Sequence, residues 1–126
     1  MADLSHLSRI LVVEDEALIL LDLEQTLAEA GVETVLAAST VADALKMVDM
    51  AQPDAAIVDL HLGRDGWSYD VARRLKEKGV PFVFSSGTVE VAEGFHDVPL
   101  VLKPFASDRL IETLAAACSE RDAQVA

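Results

Sequence analysis

Carboxylates follow two apolar runs of the sequence, at the points where those runs end. The apolar run 10–13 leads directly into Glu14 and Asp15, and the apolar run 55–58 leads into Asp59. An acidic cluster without a His or Cys partner is a site of hard oxygen ligands, which suits Mg²⁺. A carboxylate whose charge is balanced by cations can also act as a nucleophile towards phosphorus. Metal binding and phosphoryl transfer are therefore the chemistries to consider first.

Two later apolar runs end in groups that could serve the same chemistry. Ser85 and Ser86 close the run that begins at Pro81, and Lys103 closes a short run near the C-terminus. An ammonium group can balance the charge of a transferring phosphoryl group, and a hydroxyl can donate a hydrogen bond to one of its oxygens. Strand alternation directs Ser85 to the opposite side, so Ser86 is the better candidate.

The elements that would position these groups alternate between strands and helices. Short apolar runs predict strands near 9–13, 33–37, 55–58, 81–87 and 98–102, and helical spacing predicts helices over 17–30, 40–50, 69–78 and from 107 or 108 onward. Segment 88–97 has little capping chemistry, so any helix there is expected to be short or mobile. The alternation predicts an α/β fold, a doubly wound parallel sheet with strand order 2-1-3-4-5. Its carboxyl edge would bring all the candidate groups together.

The composition limits the classes of function. The 126 residues suffice for one domain and leave no room for a separate output domain. No apolar run approaches a membrane span and no signal peptide is apparent, so we expect a cytoplasmic protein without a membrane partner. With 10 Lys and Arg against 22 Asp and Glu, the net charge of -12 argues against nucleic-acid binding. We expect residues 1–8 to form a flexible tail, 9–121 the domain, and 122–126 a second tail.

The motifs at the ends of the runs strongly resemble those of the receiver domain of two-component response regulators. They are Leu11-Val12-Val13-Glu14-Asp15-Glu16, Val58-Asp59, Ser86-Gly87 and Lys103-Pro104-Phe105. The resemblance covers about residues 9–119. It implies the flavodoxin-like (βα)5 form of the predicted fold and a cis Lys103-Pro104 bond.

The resemblance also implies a role for each candidate residue. Asp59 would accept phosphate from a histidine kinase, and Ser86 and Lys103 would contact the phosphoryl group. The Mg²⁺ ligands would be the carboxylates of Glu14, Asp15 and Asp59 and the backbone carbonyl of His61.

Three departures from the usual receiver pattern matter. Leu100 stands where ordinary receivers carry an aromatic residue that reports phosphorylation, and the loop after Asp59 has Leu62-Gly63 and is one residue short before Trp67. With Phe84-Ser85-Ser86-Gly87, the chain is similar to a subgroup of receivers with a Phe-Ala-Thr-Gly motif on strand four. That subgroup typically consists of single-domain receivers paired with an atypical class of histidine kinase.

These observations favour a stand-alone receiver that is not an enzyme. It would signal by altered binding to an unknown downstream protein, or drain phosphate from a kinase. One alternative is a Mg²⁺-dependent phosphohydrolase with an aspartyl-phosphate intermediate, although such enzymes commonly carry an aspartate at the position of His61. The other is a pseudo-receiver that binds a partner without phosphorylation, against which the intact Asp59 and Lys103 argue.

Five further residues have two interpretations each. His61 could tune the access of water to an acyl phosphate, or be an ordinary exposed loop histidine. Leu18 and Leu21 could form a docking surface for kinase helices, although a wide core-facing stripe on their helix is the slightly favoured interpretation. Trp67 and Tyr69 are assigned to packing against the next helix rather than to the site.

Overall fold

The computed structural model describes residues 3–125, and side chains over residues 3–120. Five parallel strands form one sheet in the order β2-β1-β3-β4-β5. The strands are β1 (Arg9–Val13), β2 (Thr34–Ala38), β3 (Ala55–Asp59), β4 (Phe82–Ser86) and β5 (Leu100–Leu102). The helices are α1 (Ala17–Glu29), α2 (Val41–Ala51), α3 (Tyr69–Glu77) and α4 (Ser107–Val125), with a 3-10 turn at Gly63–Asp65. The predicted fold class and strand order are confirmed.

The sheet is apolar on both faces, which is why its strands are continuous apolar runs. Ile10 and Val12 belong to a core that includes side chains of α1 and α4, whereas Leu11 and Val13 belong to a second core with α2 and α3. This alternation is the period of two that any strand imposes on its side chains. A sheet covered on both faces leaves its carboxyl edge as the place where polar groups gather.

A threonine side chain caps the start of α2. The Thr40 hydroxyl accepts the N–H of Asp43 at 3.1 Å, which satisfies one of the donors that an α-helix leaves free at its first turn. Gln52 then ends α2 with a φ of 50°. α2 therefore has defined ends on both sides.

The connection between β4 and β5 contains no helix. Turns, bends and irregular backbone occupy residues 87–99, all of which the structure describes. The scarcity of capping residues and the presence of Gly94 agree with this outcome. The fold thus has four helices over the described residues rather than one after every strand.

Both ends of the chain differ from expectation. Residues 3–8 are not a loose tail, because Leu4 and Leu7 are buried in the core and the N–H of Leu4 donates to the carbonyl of Ala30 at 2.9 Å. The two leucines, Leu4 and Leu7, were the only feature of the sequence that could have indicated burial of this segment. At the other end, α4 continues to Val125, so the predicted tail 122–126 is helical as far as the structure describes it. Met1, Ala2 and Ala126 lie outside the described residues.

No helix within residues 3–125 is both long and apolar enough to cross a membrane.

Candidate functional site

Three carboxylates meet at the carboxyl edge of the sheet. Glu14 and Asp15 directly follow β1, and Asp59 is the last residue of the adjacent strand β3. Oxygen atoms of the three side chains lie within 4.8 Å of one another. Only 2% of Glu14 and 4% of Asp59 are exposed, whereas Asp15 is open to solvent. Two buried acids beside a third are unfavourable unless cations offset the charge.

Lys103 supplies one such cation. Its Nζ lies 3.0 Å from Asp59 Oδ2 and 3.2 Å from Glu14 Oε1. Burial lowers the pKa of Lys103, but the hydrogen bond and charge of Asp59, with those of Glu14, outweigh burial and raise it overall. Lys103 is therefore charged at neutral pH. The Lys103-Pro104 bond is cis, as the resemblance implied.

Glu14 is the least satisfied group in the cluster. Its Oε2 accepts the N–H of Glu16 at 3.1 Å, whereas its Oε1 has no well-aligned hydrogen bond from a described residue and is held only by the ion pair with Lys103 Nζ at 3.2 Å. Burial, together with the nearby charge of Asp59, raises the pKa of Glu14 to about 7. A buried carboxylate oxygen that lacks a well-aligned hydrogen bond, beside two further carboxylates, suits a hard divalent cation such as Mg²⁺. The residues present thus fit the metal that the sequence predicted.

Ser86 and His61 lie beside the cluster. The carbonyl of Ser86 accepts the N–H of Lys103 at 2.7 Å, so the ends of β4 and β5 are joined next to the ammonium group. The Ser86 hydroxyl accepts the N–H of Thr88 at 3.1 Å. The N–H of His61 donates to Asp59 Oδ1 at 3.3 Å. The expected contacts of Ser86 with a phosphoryl group and of the His61 carbonyl with a metal stay predictions.

Two polar residues at the site were missed from the sequence. The Glu16 carboxylate lies 3.7 Å from Lys103 Nζ. The Ser68 hydroxyl is fully buried and donates to the carbonyl of Asp59 at 2.7 Å. Ser68 precedes α3, where a serine normally predicts a helix cap, but here the side chain caps nothing. The local sequence pattern does not distinguish a serine that caps a helix from one that bonds the carbonyl of a neighbouring strand.

Trp67 and Tyr69 extend from the site as a ring stack. The Trp67 ring is edge-on to His61, with centroids 5.0 Å apart, and stacks on Tyr69 at 5.9 Å. Tyr69, the first residue of α3, packs against the core that α3 forms with the sheet, as predicted. Trp67 is 55% exposed and meets α3 through the ring of Tyr69, on which it stacks.

The exposed side of α1 borders an apolar groove next to Lys103. Leu18 and Leu21 are 82% and 63% exposed, so the interpretation of a wide core stripe is wrong. The groove holds about 480 Å³ and is lined by Glu16, Leu18, Ile19, Asp22, Lys103, Pro104 and Phe105. It combines apolar walls with carboxylates at one side.

Comparison with known proteins agrees with this geometry. Residues 10–115 match the family described as the response regulator receiver domain. The transcriptional regulatory protein PdtaR of Mycobacterium tuberculosis is 32% identical over 123 residues, which span 94% of this chain and 60% of that protein. This chain thus spans less than two thirds of that curated relative.

Solved structures give the same result. A response regulator receiver protein from Sinorhizobium medicae has a TM-score of 0.80 and 32% identity, covering 90% of this chain and 96% of that one. The response regulator PhyR from Brucella abortus has a TM-score of 0.80 and 28% identity, covering 93% of this chain and 50% of that one. The chain belongs to the response regulator receiver domain family.

Proposed function

We propose that this receiver accepts a phosphoryl group on Asp59 from a histidine kinase in a Mg²⁺-dependent reaction. The observation that carries the proposal is the pairing of Lys103 with both Asp59 and Glu14, at 3.0 and 3.2 Å. A buried carboxylate beside a fixed ammonium and two other carboxylates is arranged for nucleophilic attack on phosphorus with balanced charge. A merely structural ion pair would not need the additional acids.

In the proposed reaction, an oxygen of Asp59 attacks the phosphorus atom of phosphohistidine. The new O–P bond gives an acyl phosphate, and the P–N bond breaks so that the imidazole leaves with its electron pair. Lys103 exchanges its contact with Asp59 for one with a phosphoryl oxygen, and the Ser86 hydroxyl donates to another. Mg²⁺, held by Glu14, Asp15, Asp59 and the His61 carbonyl, would neutralise charge on the carboxylates and phosphoryl oxygens.

The partners belong to the same proposal. The groove beside α1 lies directly next to Lys103, and its apolar walls with Glu16 and Asp22 fit helices that carry apolar and basic side chains. We assign it to the histidine kinase, whose phosphohistidine must reach Asp59. The protein works in the cytoplasm and is a signalling protein rather than an enzyme acting on a separate substrate.

The output is a change in protein binding by segment 87–99, or removal of phosphate from the kinase. Segment 87–99 leaves the sheet at Ser86 and contains no helix, so phosphorylation next to it can redistribute its conformations. A protein that binds one of these conformations would read the signal.

Intact mass spectrometry tests the acceptor. The protein is incubated with Mg²⁺ and acetyl phosphate, and separately with a phosphorylated histidine kinase. We expect a gain of one phosphoryl group that chelation of Mg²⁺ prevents. Asp59→Asn should show no gain, because an amide is a poor nucleophile of the same shape.

Asp70→Asn is the matched control, since Asp70 makes a surface ion pair on α3 and is not part of the cluster. It should accept phosphate like the wild type. An undiminished mass gain in Asp59→Asn would show that another residue is the acceptor. A wild type that gains no phosphate from acetyl phosphate or from its cognate histidine kinase would exclude the proposed reaction.

A further inference from the structure

The connection from β3 to α3 is a closed turn. The N–H of Leu62 donates to the carbonyl of Gly66 at 2.7 Å, and the N–H of Gly66 donates to the carbonyl of Gly63 at 3.1 Å. Outside these bonds, His61 and Trp67 form an antiparallel bridge. Gly63 has a φ of 52°, in the left-handed region. Backbone bonds thus determine where Gly63 stands.

A side chain ties this turn to the neighbouring helix. The carboxylate of Asp65 accepts the N–H of Val41, the first residue of α2, at 2.6 Å. A free N–H at a helix start is a strong site for a carboxylate, because the helix dipole and the hydrogen bond act together. The bond therefore holds the turn containing Gly63 against the carboxyl edge of the sheet.

Gly63 lies against the exposed acid of the cluster. A Cβ atom at this position would stand 2.8 Å from Oδ2 of Asp15 and 3.9 Å from its Cγ, with no other group within 4 Å. At 2.8 Å one of the two groups must shift. Asp15 is exposed and can swing outward, which would take its carboxylate away from Glu14 and Asp59. By contrast, Gly66 in the same turn has open space around it.

We infer that Gly63 is a positioning residue for the divalent-cation site, held in place by Asp65. The missing side chain gives the Asp15 carboxylate room to stand within 4.8 Å of those of Glu14 and Asp59. This inference rests on the proposed function, in which the three carboxylates hold Mg²⁺. It makes the shortened loop a determinant of metal affinity, although no side chain of residue 63 touches the metal.

Calorimetric titration of the whole chain with Mg²⁺ tests the inference. Gly63→Ala should bind Mg²⁺ about tenfold more weakly than the wild type, the size of effect seen when a group that orients a ligand is lost. Gly63→Asn tolerates positive φ better and also carries a Cβ, so it should show the same loss with less effect on folding. Gly79→Ala is the control, because Gly79 has a φ of 70° but no neighbour within 4 Å.

A double-mutant cycle shows whether Gly63 acts through Asp15. In an Asp15→Asn background, Gly63→Ala should weaken Mg²⁺ binding less than about twofold, because the group it displaces no longer bears charge. Equal losses in both backgrounds, or unchanged binding by folded Gly63→Ala and Gly63→Asn, would overturn the inference alone. A wild type that binds no Mg²⁺ would instead overturn the proposed metal site.

Asp65 has its own test. Asp65→Ala should weaken Mg²⁺ binding severalfold, because the turn loses its bond to α2. Asp65→Asn keeps an oxygen that can accept the Val41 N–H, and should bind Mg²⁺ nearly as well as the wild type. If both variants lose affinity equally, Asp65 acts through its charge and its positioning role is excluded.

Discussion

The two connections that leave the sheet around Asp59 are held in different ways. Residues 60–68, between β3 and α3, are closed by backbone hydrogen bonds and tied to α2 by Asp65. Segment 87–99, between β4 and β5, has two backbone hydrogen bonds within itself, from Phe95 to Ala92 and from Val98 to Phe95. Side chains of α3 hold it against the rest of the domain. The first connection is part of the scaffold, whereas the second can open without disturbing the sheet.

Three side chains account for most of the attachment of segment 87–99. The Tyr69 hydroxyl accepts the N–H of Ala92 at 2.9 Å, and Lys76 Nζ donates to the Gly94 carbonyl at 3.0 Å. Phe95 is buried, with its ring centroid 5.2 Å from that of Tyr69. Tyr69 also carries the Trp67 ring, which reaches His61 beside Asp59. A contact path from the site to the segment therefore exists in a chain that has Leu100 in place of the usual aromatic.

The largest expected effect is on stability, and it compares the loss of one buried side chain in each of the two connections. Leu60 is fully buried in the first connection, and Leu60→Ala should lower the free energy of unfolding by about 2–5 kcal/mol. Phe95→Ala removes a larger side chain but should cost under about 2 kcal/mol, because the segment can open locally. Urea unfolding of both variants provides the measurement. Equal costs would show that segment 87–99 is as firmly integrated as residues 60–68.

The next effect concerns the charge of Glu14, which lies after β1 and faces Asp59, the residue from which the first connection starts. Because the folded pKa of Glu14 is raised to about 7, its contribution to stability is present below its unfolded value of 4.5 and is lost as pH rises through 7. Metal-free wild type should therefore lose up to about 3 kcal/mol between pH 5 and pH 8.5 relative to Glu14→Gln. Urea unfolding in the presence of a chelator, across this pH range, checks it. Parallel pH profiles for the two proteins would contradict the shift.

The smallest expected effect concerns segment 87–99. Tyr69→Phe removes the acceptor of the Ala92 N–H while keeping the ring, and should cost about 1 kcal/mol. Hydrogen exchange of segment 87–99 should become about fivefold faster. Residues 60–68 serve as the internal control and should keep their exchange rates. Acceleration throughout the molecule would instead indicate global destabilisation.

Most of the fold followed from local pattern. The apolar runs ending at Val13, Asp59 and Ser86 predicted strands within one or two residues, because a strand buried on both faces admits little else. The N-terminal segment was missed because Leu4 and Leu7 belong to no periodic run. Their burial depends on a core shared with Leu23 and Leu27, which exists only after α1 has packed.

The sequence by itself determined the strand order and, through it, which groups meet at the carboxyl edge. That result follows from the handedness and connectivity of parallel sheets, which need no side-chain detail. The tertiary structure alone decided that Glu14 is buried beside Lys103, that Asp65 reaches α2, and that Gly63 faces Asp15. These contacts join residues distant in sequence, at distances set by the packing of whole elements, and no local pattern carries that information.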